Sequence, residues 1–282
     1  MAGGKSAPNL DQDVVAGFGQ EWKKFHHRDA AEEEERRIFE TYFDEFPWDV
    51  LPPNAEGFDL GCGSGRWASF VAPRVGRLHC IDPSPEALEV ARAKIGALGN
   101  CQFHQAAVDT IPLPESSMCF GYAIGVLHHV PDTQAGIGEC VRRLKPGAPF
   151  LLYLYYAFDN RPAWFRLLWR ISNPVRVVVS RMPFWLRSFL SELAAACIYW
   201  PFARSARLAE RLGFRVQSFP LSAYRDRSFY QMRNDALDRF GTRIEKRFTK
   251  KQMQEMMQRA GMEQIQFKDF PYCCALGYKR MD

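Results

Sequence analysis

The sequence lacks several features that define large classes of protein. It contains no run of about 18 uninterrupted apolar residues, which argues against a membrane-spanning helix. Its first nine residues lack the apolar stretch that opens a secretory signal, so we expect a floppy tail there and a cytoplasmic protein. The eight cysteines form no Cys-x-x-Cys pair, so we expect free thiols in a reducing compartment and no metal site.

Lysine and acidic residues are scarce in one segment. Residues 161–215 contain ten arginines, no lysine and two acids, a local charge of +8 in a chain whose net charge is +5. Apolar and aromatic residues recur there at helical spacing. Three interpretations stay open: a solvated face, a surface or pocket for lipid or for a lipophilic or phosphorylated acceptor, and, weakest, nucleic acid. No nucleic-acid-binding module is recognisable, so we expect no nucleic-acid partner.

Glycine, in contrast, is concentrated at one informative place. Residues 58–67 read FDLGCGSGRW, a buried strand that breaks into a glycine-rich turn and then a helix. Gly61, Gly63 and Gly65 allow positive φ angles and a close approach of backbone to a ligand. Asp59, two residues before the first glycine, would repel a pyrophosphate and favour a cationic ligand such as the amino-acid end of S-adenosylmethionine.

A second apolar strand, residues 77–82, ends in Asp82 about 20 residues after the loop, where an open α/β sheet binds a ribose diol. Together the two segments resemble the cofactor motifs of the class I S-adenosylmethionine-dependent methyltransferases. The resemblance continues through residues 106–114, 121–132 and 140–148, so that it covers roughly residues 55–156.

The resemblance implies S-adenosylmethionine as the cofactor and assigns its contacts. The methionine moiety would meet Asp59 and the three glycines, the ribose Asp82, and the adenine Val108 with Asp109. The full set of expected cofactor-binding residues is Asp59, Gly61, Cys62, Gly63, Gly65, Asp82, Pro83, Val108, Asp109 and Gly125.

Strands and helices alternate from residue 57 to 156, which predicts an α/β fold with a doubly wound, mostly parallel sheet of seven strands. N-terminal helices and a helical lid inserted after the fifth strand complete it. We expect a tail and helical cap at 1–54, a cofactor-binding core at 55–157, the insertion at 158–248, and a last helix and two strands at 249–282.

Several residues are candidates for contact with the acceptor. His128 and His129 follow the fourth strand, and either is a candidate general base, although a histidine there also caps loops through backbone hydrogen bonds. Tyr224 and Tyr230 are further catalytic candidates. The expected substrate-binding residues are Phe18, Trp22, Tyr156, Arg161 and Arg225.

The sequence therefore predicts an enzyme of small-molecule biosynthesis that moves a methyl group from S-adenosylmethionine to a small acceptor, lipophilic or anionic, by in-line displacement. Peripheral membrane contact through residues 161–215 stays open, as does the oligomeric state. Two alternatives remain: a nicotinamide-dependent oxidoreductase, and a non-catalytic cofactor-binding or membrane-associated scaffold.

Overall fold

A computed structural model describes residues 8–25, 32–216 and 219–281, and a seven-stranded sheet forms its centre. The strands are β1 (Glu56–Leu60), β2 (Arg77–Asp82), β3 (Cys101–Gln105), β4 (Phe120–Ile124), β5 (Pro149–Tyr153), β6 (Met262–Phe267) and β7 (Cys274–Lys279). Their order is β3-β2-β1-β4-β5-β7-β6. Strands β1 to β5 are parallel, and β7 runs antiparallel to both of its neighbours. The predicted doubly wound sheet is confirmed.

Helices cover both faces of this sheet. They are α3 (Ala68–Val71), α4 (Pro85–Ile95), α5 (Thr133–Arg143) and α10 (Lys250–Arg259). One apolar cluster joins the sheet to α5 and α10, with Ile137 and Met257 fully buried, and a second joins the opposite face to α3 and α4. The central strands β1, β2, β4 and β5 are buried on both faces, so they read as largely apolar runs in the sequence.

The segment before the sheet is more ordered near Asn9 than we expect from its sequence. Helix α1 (Gln12–Lys24) begins at Asp11, whose side chain accepts from the Val14 N–H, and α2 is Glu32–Phe43. Asn9 is buried and hydrogen-bonded, so the expected floppy tail is wrong at that residue. Asp29, the expected cap of the second helix, lies outside the described residues.

Between β5 and α10 the chain forms four helices, α6 (Ala163–Val179), α7 (Phe184–Ala194), α8 (Trp200–Arg211) and α9 (Phe229–Gly241). Both α6 and α7 pack on α9, and α9 also contacts α1. Among the described helices, none has the length and apolar character needed to cross a bilayer. This helical layer brings α9 to the carboxyl end of β5.

Candidate active site

The glycine-rich loop follows β1 at the carboxyl edge of the sheet. Gly61, Gly63 and Gly65 have φ angles of 71°, 52° and 74°, a conformation that glycine adopts without strain. The N–H groups of Gly61 and Cys62 both donate to the Ile81 carbonyl, at 2.7 and 3.1 Å. The loop is therefore a fixed bend, tied to the end of β2.

Asp82 ends β2, and its side chain supports this bend. Its Oδ2 accepts from the Gly63 N–H at 3.0 Å, and its Oδ1 accepts from the Ser84 N–H at 2.9 Å. Burial raises the pKa of Asp82 to about 6, while the two backbone hydrogen bonds oppose the rise. A carboxylate offers about four acceptor positions, so two remain for the hydroxyls of a ribose. Pro83, beside it, is half-buried.

Asp59 lies below the bend, inside the sheet. It is 1% exposed and stands in register with Cys80 on β2 and Tyr122 on β4. Its Oδ2 has no hydrogen-bond partner among the described residues, and burial raises its pKa to about 8. An unpartnered buried carboxyl oxygen beside a glycine bend fits an ammonium group, which would supply the missing donor and favour the ionised form.

The ligand side of the loop is partly covered and partly open. The indole of Trp22 on α1 lies against Gly63, since a Cβ built on that glycine would come within 2.9 Å of it. On the loop after β4, Gly125 has a φ of 79°, and no described atom lies within 4 Å of a Cβ built there. Open space and bare backbone at these strand ends suit a nucleoside ligand in an open α/β sheet.

The loop after β3 lies at the same edge. Val108 is buried and begins a short 3-10 turn, and the exposed Asp109 accepts from the Asn9 N–H at 2.9 Å. Asn9 also donates from its side chain to the Asp132 carbonyl at 2.7 Å and accepts from the Asp132 N–H at 2.6 Å. Asn9 therefore joins the expected adenine-side loop to the loop that follows β4.

His128 and His129 follow β4, and both are buried. The His128 ring stacks on Tyr155, with centroids 3.8 Å apart, and neither of its nitrogens has a hydrogen-bond partner in the described chain. Burial lowers the pKa of His128 well below its usual value, so this ring is neutral. In His129, Nδ1 lies 2.6 Å from the Ile244 carbonyl oxygen, so Nδ1 is the ring nitrogen that donates a hydrogen bond. Its Nε2 is left as the proton acceptor.

A carboxylate on α9 faces that nitrogen. Asp238 Oδ1 lies 3.7 Å from His129 Nε2, and Asp238 Oδ2 accepts a hydrogen bond from the Tyr155 hydroxyl. Burial raises the pKa of Asp238, and a positive charge on His129 would oppose the rise. Burial also raises the pKa of Tyr155 well above its usual value. His129, Asp238 and Tyr155 thus form a cluster of groups that can each bind a proton. General acid–base catalysis requires such groups.

Further carboxyl groups surround this cluster. Glu21 on α1 is buried, and Asp235 lies one turn before Asp238 on α9. Burial raises the pKa of Glu21 and of Asp235, and the neighbouring carboxyl charges add to both rises. Arg187 opposes the rise at Glu21, and Arg66 opposes it at Asp235. The region around His129 is therefore acidic and aromatic, although the surrounding insertion is rich in arginine.

Helix α1 contacts both the glycine loop and the histidine. The Phe18 ring lies edge-on to His129, with centroids 5.0 Å apart, while Trp22 lies against Gly63. Phe18 and Trp22 are four residues apart, which is about 6 Å along a helix. The bend and the candidate base thus contact side chains on neighbouring turns of one helix.

The two other tyrosines expected to be catalytic lie in aromatic contacts of the insertion. Tyr224 packs edge-on to Tyr199 at 5.2 Å, and burial raises its pKa well above its usual value. Tyr230 packs edge-on to Phe25, just after α1, at 5.4 Å. Neither contact includes His129, so their catalytic roles stay predictions.

The remaining expected substrate residues make contacts of their own. The Tyr156 ring lies 5.2 Å from that of Tyr272, and the Arg161 Nε donates to the Tyr156 hydroxyl at 3.4 Å. Arg225 forms an ion pair with Glu210 at 2.7 Å. The ion pair with Glu210 gives Arg225 a structural role. Acceptor binding by Tyr156, Arg161 and Arg225 stays a prediction.

Sequence reasoning did not select Asp238, Tyr155 or Glu21. Asp235 and Asp238 are three residues apart and so share one face of α9, which also carries the buried Met232. Carboxylates on a helix face that is otherwise buried are a signal of a functional site, because such groups are seldom buried without a role or a partner.

Comparison with known proteins agrees with this geometry. A family model described as a methyltransferase domain matches residues 58–147. The chain is 28% identical over 135 residues to an uncharacterized methyltransferase, YcgJ, of Bacillus subtilis, covering 46% of this chain and 53% of that protein. It is 27% identical over 179 residues to a ubiquinone biosynthesis O-methyltransferase of Xanthomonas campestris, covering 57% of this chain and 74% of that one.

A solved structure of a Bordetella parapertussis protein, described as a possible exported protein, shares the fold with a TM-score of 0.51 at 15% identity, over 89% of this chain and 68% of that one. The chain spans about half the length of the Bacillus relative and about a third of two others. Fold, site and family match define an S-adenosylmethionine-binding α/β enzyme domain. Residues 58–147 thus carry a methyltransferase domain, and for this domain the expected class I S-adenosylmethionine-dependent family and its cofactor are confirmed.

Proposed function

We propose that this protein transfers a methyl group from S-adenosylmethionine to a lipophilic small molecule, with His129 as the base that removes a proton from the acceptor. One observation carries the proposal: α1 places Phe18 on His129 and Trp22 on the glycine bend, one helical turn apart. When bound, the cofactor supplies the activated methyl group. The protein must hold donor and acceptor in line and take up the proton.

The cofactor residues have separate tasks. Asp82 would accept from the ribose hydroxyls while it holds the loop through Gly63. Asp59 would meet the ammonium group, and its ionisation would then be favoured by the opposite charge. Val108 and Asp109 would border the adenine. Trp22 would exclude water above the bend, which strengthens electrostatic contacts inside the site.

The proton leaves the acceptor for Nε2 of His129, because Nδ1 is engaged with the Ile244 carbonyl. Asp238 then stabilises the imidazolium, and the Tyr155 hydroxyl holds Asp238 in place. Held by Asp59, Asp82 and the glycine bend, S-adenosylmethionine would supply the methyl group for an in-line displacement. An acceptor with an acidic O–H or N–H suits this arrangement.

The aromatic rings of the site favour a lipophilic acceptor, since Phe18 lies edge-on to His129 and Tyr155 stacks on His128. One relative is named a ubiquinone biosynthesis O-methyltransferase. Lipid contact through residues 161–215 fits such an acceptor. A cytoplasmic location fits the eight free cysteines, which indicate a reducing compartment.

The test uses cofactor labelled on its methyl group and a cell extract separated into lipid and aqueous fractions. We expect the purified protein to transfer label to a compound of the lipid fraction. The His129→Gln variant should bind S-adenosylhomocysteine normally and transfer no detectable label. Label only in the aqueous fraction would contradict the lipophilic acceptor, and tight cofactor binding without transfer to any fraction would favour the non-catalytic scaffold.

A further inference from the structure

The insertion carries an unusual apolar surface. Of the 21 large apolar residues that are exposed in the described chain, 16 lie within residues 164–219. On α6 they form one stripe, with Trp164, Ile171 and Val178 at a spacing of seven residues, two helical turns. On α7, Trp185 and Phe189 continue the pattern one turn apart, at 69% and 61% exposure. Exposed apolar residues concentrated in one segment are typical of an interaction site.

This surface, which we call the insertion face, is turned away from the rest of the protein. Helices α6 and α7 both pack on α9, and the apolar stripes lie on the sides that this packing leaves free. Helix α9 carries Asp238, which faces His129. The insertion face is therefore the outer surface of the same layer whose inner side supplies the candidate active site.

The charges of the insertion face show which partner fits it. Arg166 and Arg170 are exposed on α6, and neither forms an ion pair or a hydrogen bond with another residue of the part of the chain that the structure describes. The two acids of the segment are already paired, Glu192 with Lys24 and Arg233 and Glu210 with Arg225. The free charge beside the apolar stripes is thus positive, and tryptophan with arginine is typical of surfaces that bind anionic lipid.

We propose that the insertion face docks on an anionic lipid bilayer. Trp164, Trp185 and Phe189 enter the interface between headgroups and acyl chains, and Arg166 with Arg170 contacts the lipid phosphates. A second copy of the chain fits less well, because a symmetric dimer would bring the same unpaired arginines against each other.

Docking in this orientation also suits the acceptor, in a step that rests on the proposed function. A small cleft between α1, α7 and α9 is lined by Phe184 and Arg187 on one side and by Phe18 and Glu21 on the other. Its free volume of about 10 Å³ has room for about one water molecule, so the cleft must widen to admit an acceptor. Since Phe184 precedes Trp185, a lipophilic acceptor that leaves the bilayer would enter beside α7.

The docking test is flotation of the full chain with lipid vesicles, without cofactor or acceptor. One vesicle is phosphatidylcholine, and the other is an equimolar mixture of phosphatidylcholine and phosphatidylglycerol. We expect binding to the anionic vesicle that weakens at high salt, and little binding to the neutral one. Trp185→Ser with Phe189→Ser should lower partitioning at least about tenfold. Arg166→Gln with Arg170→Gln should lower it about tenfold.

Matched controls change equally exposed residues elsewhere. Val50→Ser with Met281→Ser controls for apolar surface, and Lys251→Gln with Arg259→Gln controls for charge. No flotation with either vesicle, or equal losses in controls and test variants, would overturn the proposal. So would a dimer that Trp185→Ser with Phe189→Ser dissociates while flotation is unchanged, since the face would then bind a second copy. Calorimetry with S-adenosylhomocysteine on the same proteins tests the proposed function separately.

Discussion

The sheet region and the insertion differ in how they treat apolar side chains. Between residues 55 and 157, Leu98 is the one large apolar residue that is exposed in the described structure, whereas 16 are exposed between residues 164 and 219. The sheet buries its apolar residues on both faces. The insertion buries a small cluster around Tyr199 and Met232 and leaves its outer face bare. The sheet region therefore buries nearly all of its large apolar residues. The insertion buries them only on the side that packs against the rest of the protein.

The largest expected effect is the loss of kcat in the His129→Gln variant, which should leave lipid binding unchanged. His129→Gln removes the nitrogen that accepts the proton, and we expect kcat to fall by about 10²- to 10⁴-fold, as for loss of a general base. Vesicle flotation should not change, because His129 is buried. The measurement is the initial rate of label transfer into the lipid fraction. His104→Gln on β3 is the control, and a normal rate for His129→Gln would exclude the base.

The next effect tests the sheet as the cofactor site. Asp82→Ala removes the carboxylate that holds Gly63 and would accept from the ribose. We expect affinity for S-adenosylhomocysteine to fall by about 10- to 100-fold, the usual loss for hydrogen bonds to a charged group. Titration calorimetry measures it, with the exposed Asp49→Ala as control. Unchanged affinity of the Asp82 variant would refute the ribose contact.

A smaller effect concerns the stability of the sheet itself. The pKa of Asp59 is about 8 in the fold against an ordinary value of 3.8, so the folded state binds an extra proton between those values. Stability without cofactor should therefore fall as the pH rises from about 4 to 8. Asp59→Asn should remove that part of the fall and be several kcal/mol more stable than the natural protein at pH 9.

Thermal denaturation across this pH range, without cofactor, measures the difference between the two proteins. Asp49→Asn, at an exposed position, is the matched control and should follow the natural protein. Parallel pH curves for the natural protein and Asp59→Asn would show that Asp59 ionises normally in the fold.

The smallest effect lies in the insertion. Arg225 pairs with Glu210 near the surface, so Arg225→Gln should cost less than about 1 kcal/mol of stability. KM for the acceptor should not change. Denaturant unfolding and steady-state rates measure these quantities, with Arg207→Gln as control because Arg207 forms a similar exposed pair with Asp226. A raised KM specific to Arg225→Gln would return this arginine to the acceptor site.

The sheet could be predicted from the sequence because its signals are local. The bend at Gly61, Gly63 and Gly65 needs positive φ angles that the residue type itself reveals. Helix α5 begins at Thr133 because Asp132 caps it through the Ala135 N–H. Both signals span a few residues and need no knowledge of distant contacts.

The acid–base cluster could not be predicted in the same way. Tyr155 and Asp238 are 83 residues apart, and their hydrogen bond depends on how α9 packs against the end of β5. The environments of the arginines could not be predicted either, because the same helical spacing occurs at buried and at exposed arginines. Arg187 is buried and donates to the Gly241 carbonyl at 2.8 Å, while Arg166 on the preceding helix is exposed. Helical spacing does not distinguish these environments.

The hydrogen bonds of Asn9 have a practical consequence for anyone who handles the protein. A chain trimmed to begin at α1 would leave the Asp132 N–H and the Asp109 carboxylate without their present partners. Two loops at the rim of the sheet would then lose their common tether, and protease sensitivity there should increase. Affinity tags are better placed at the opposite terminus, where Met281 is already 74% exposed.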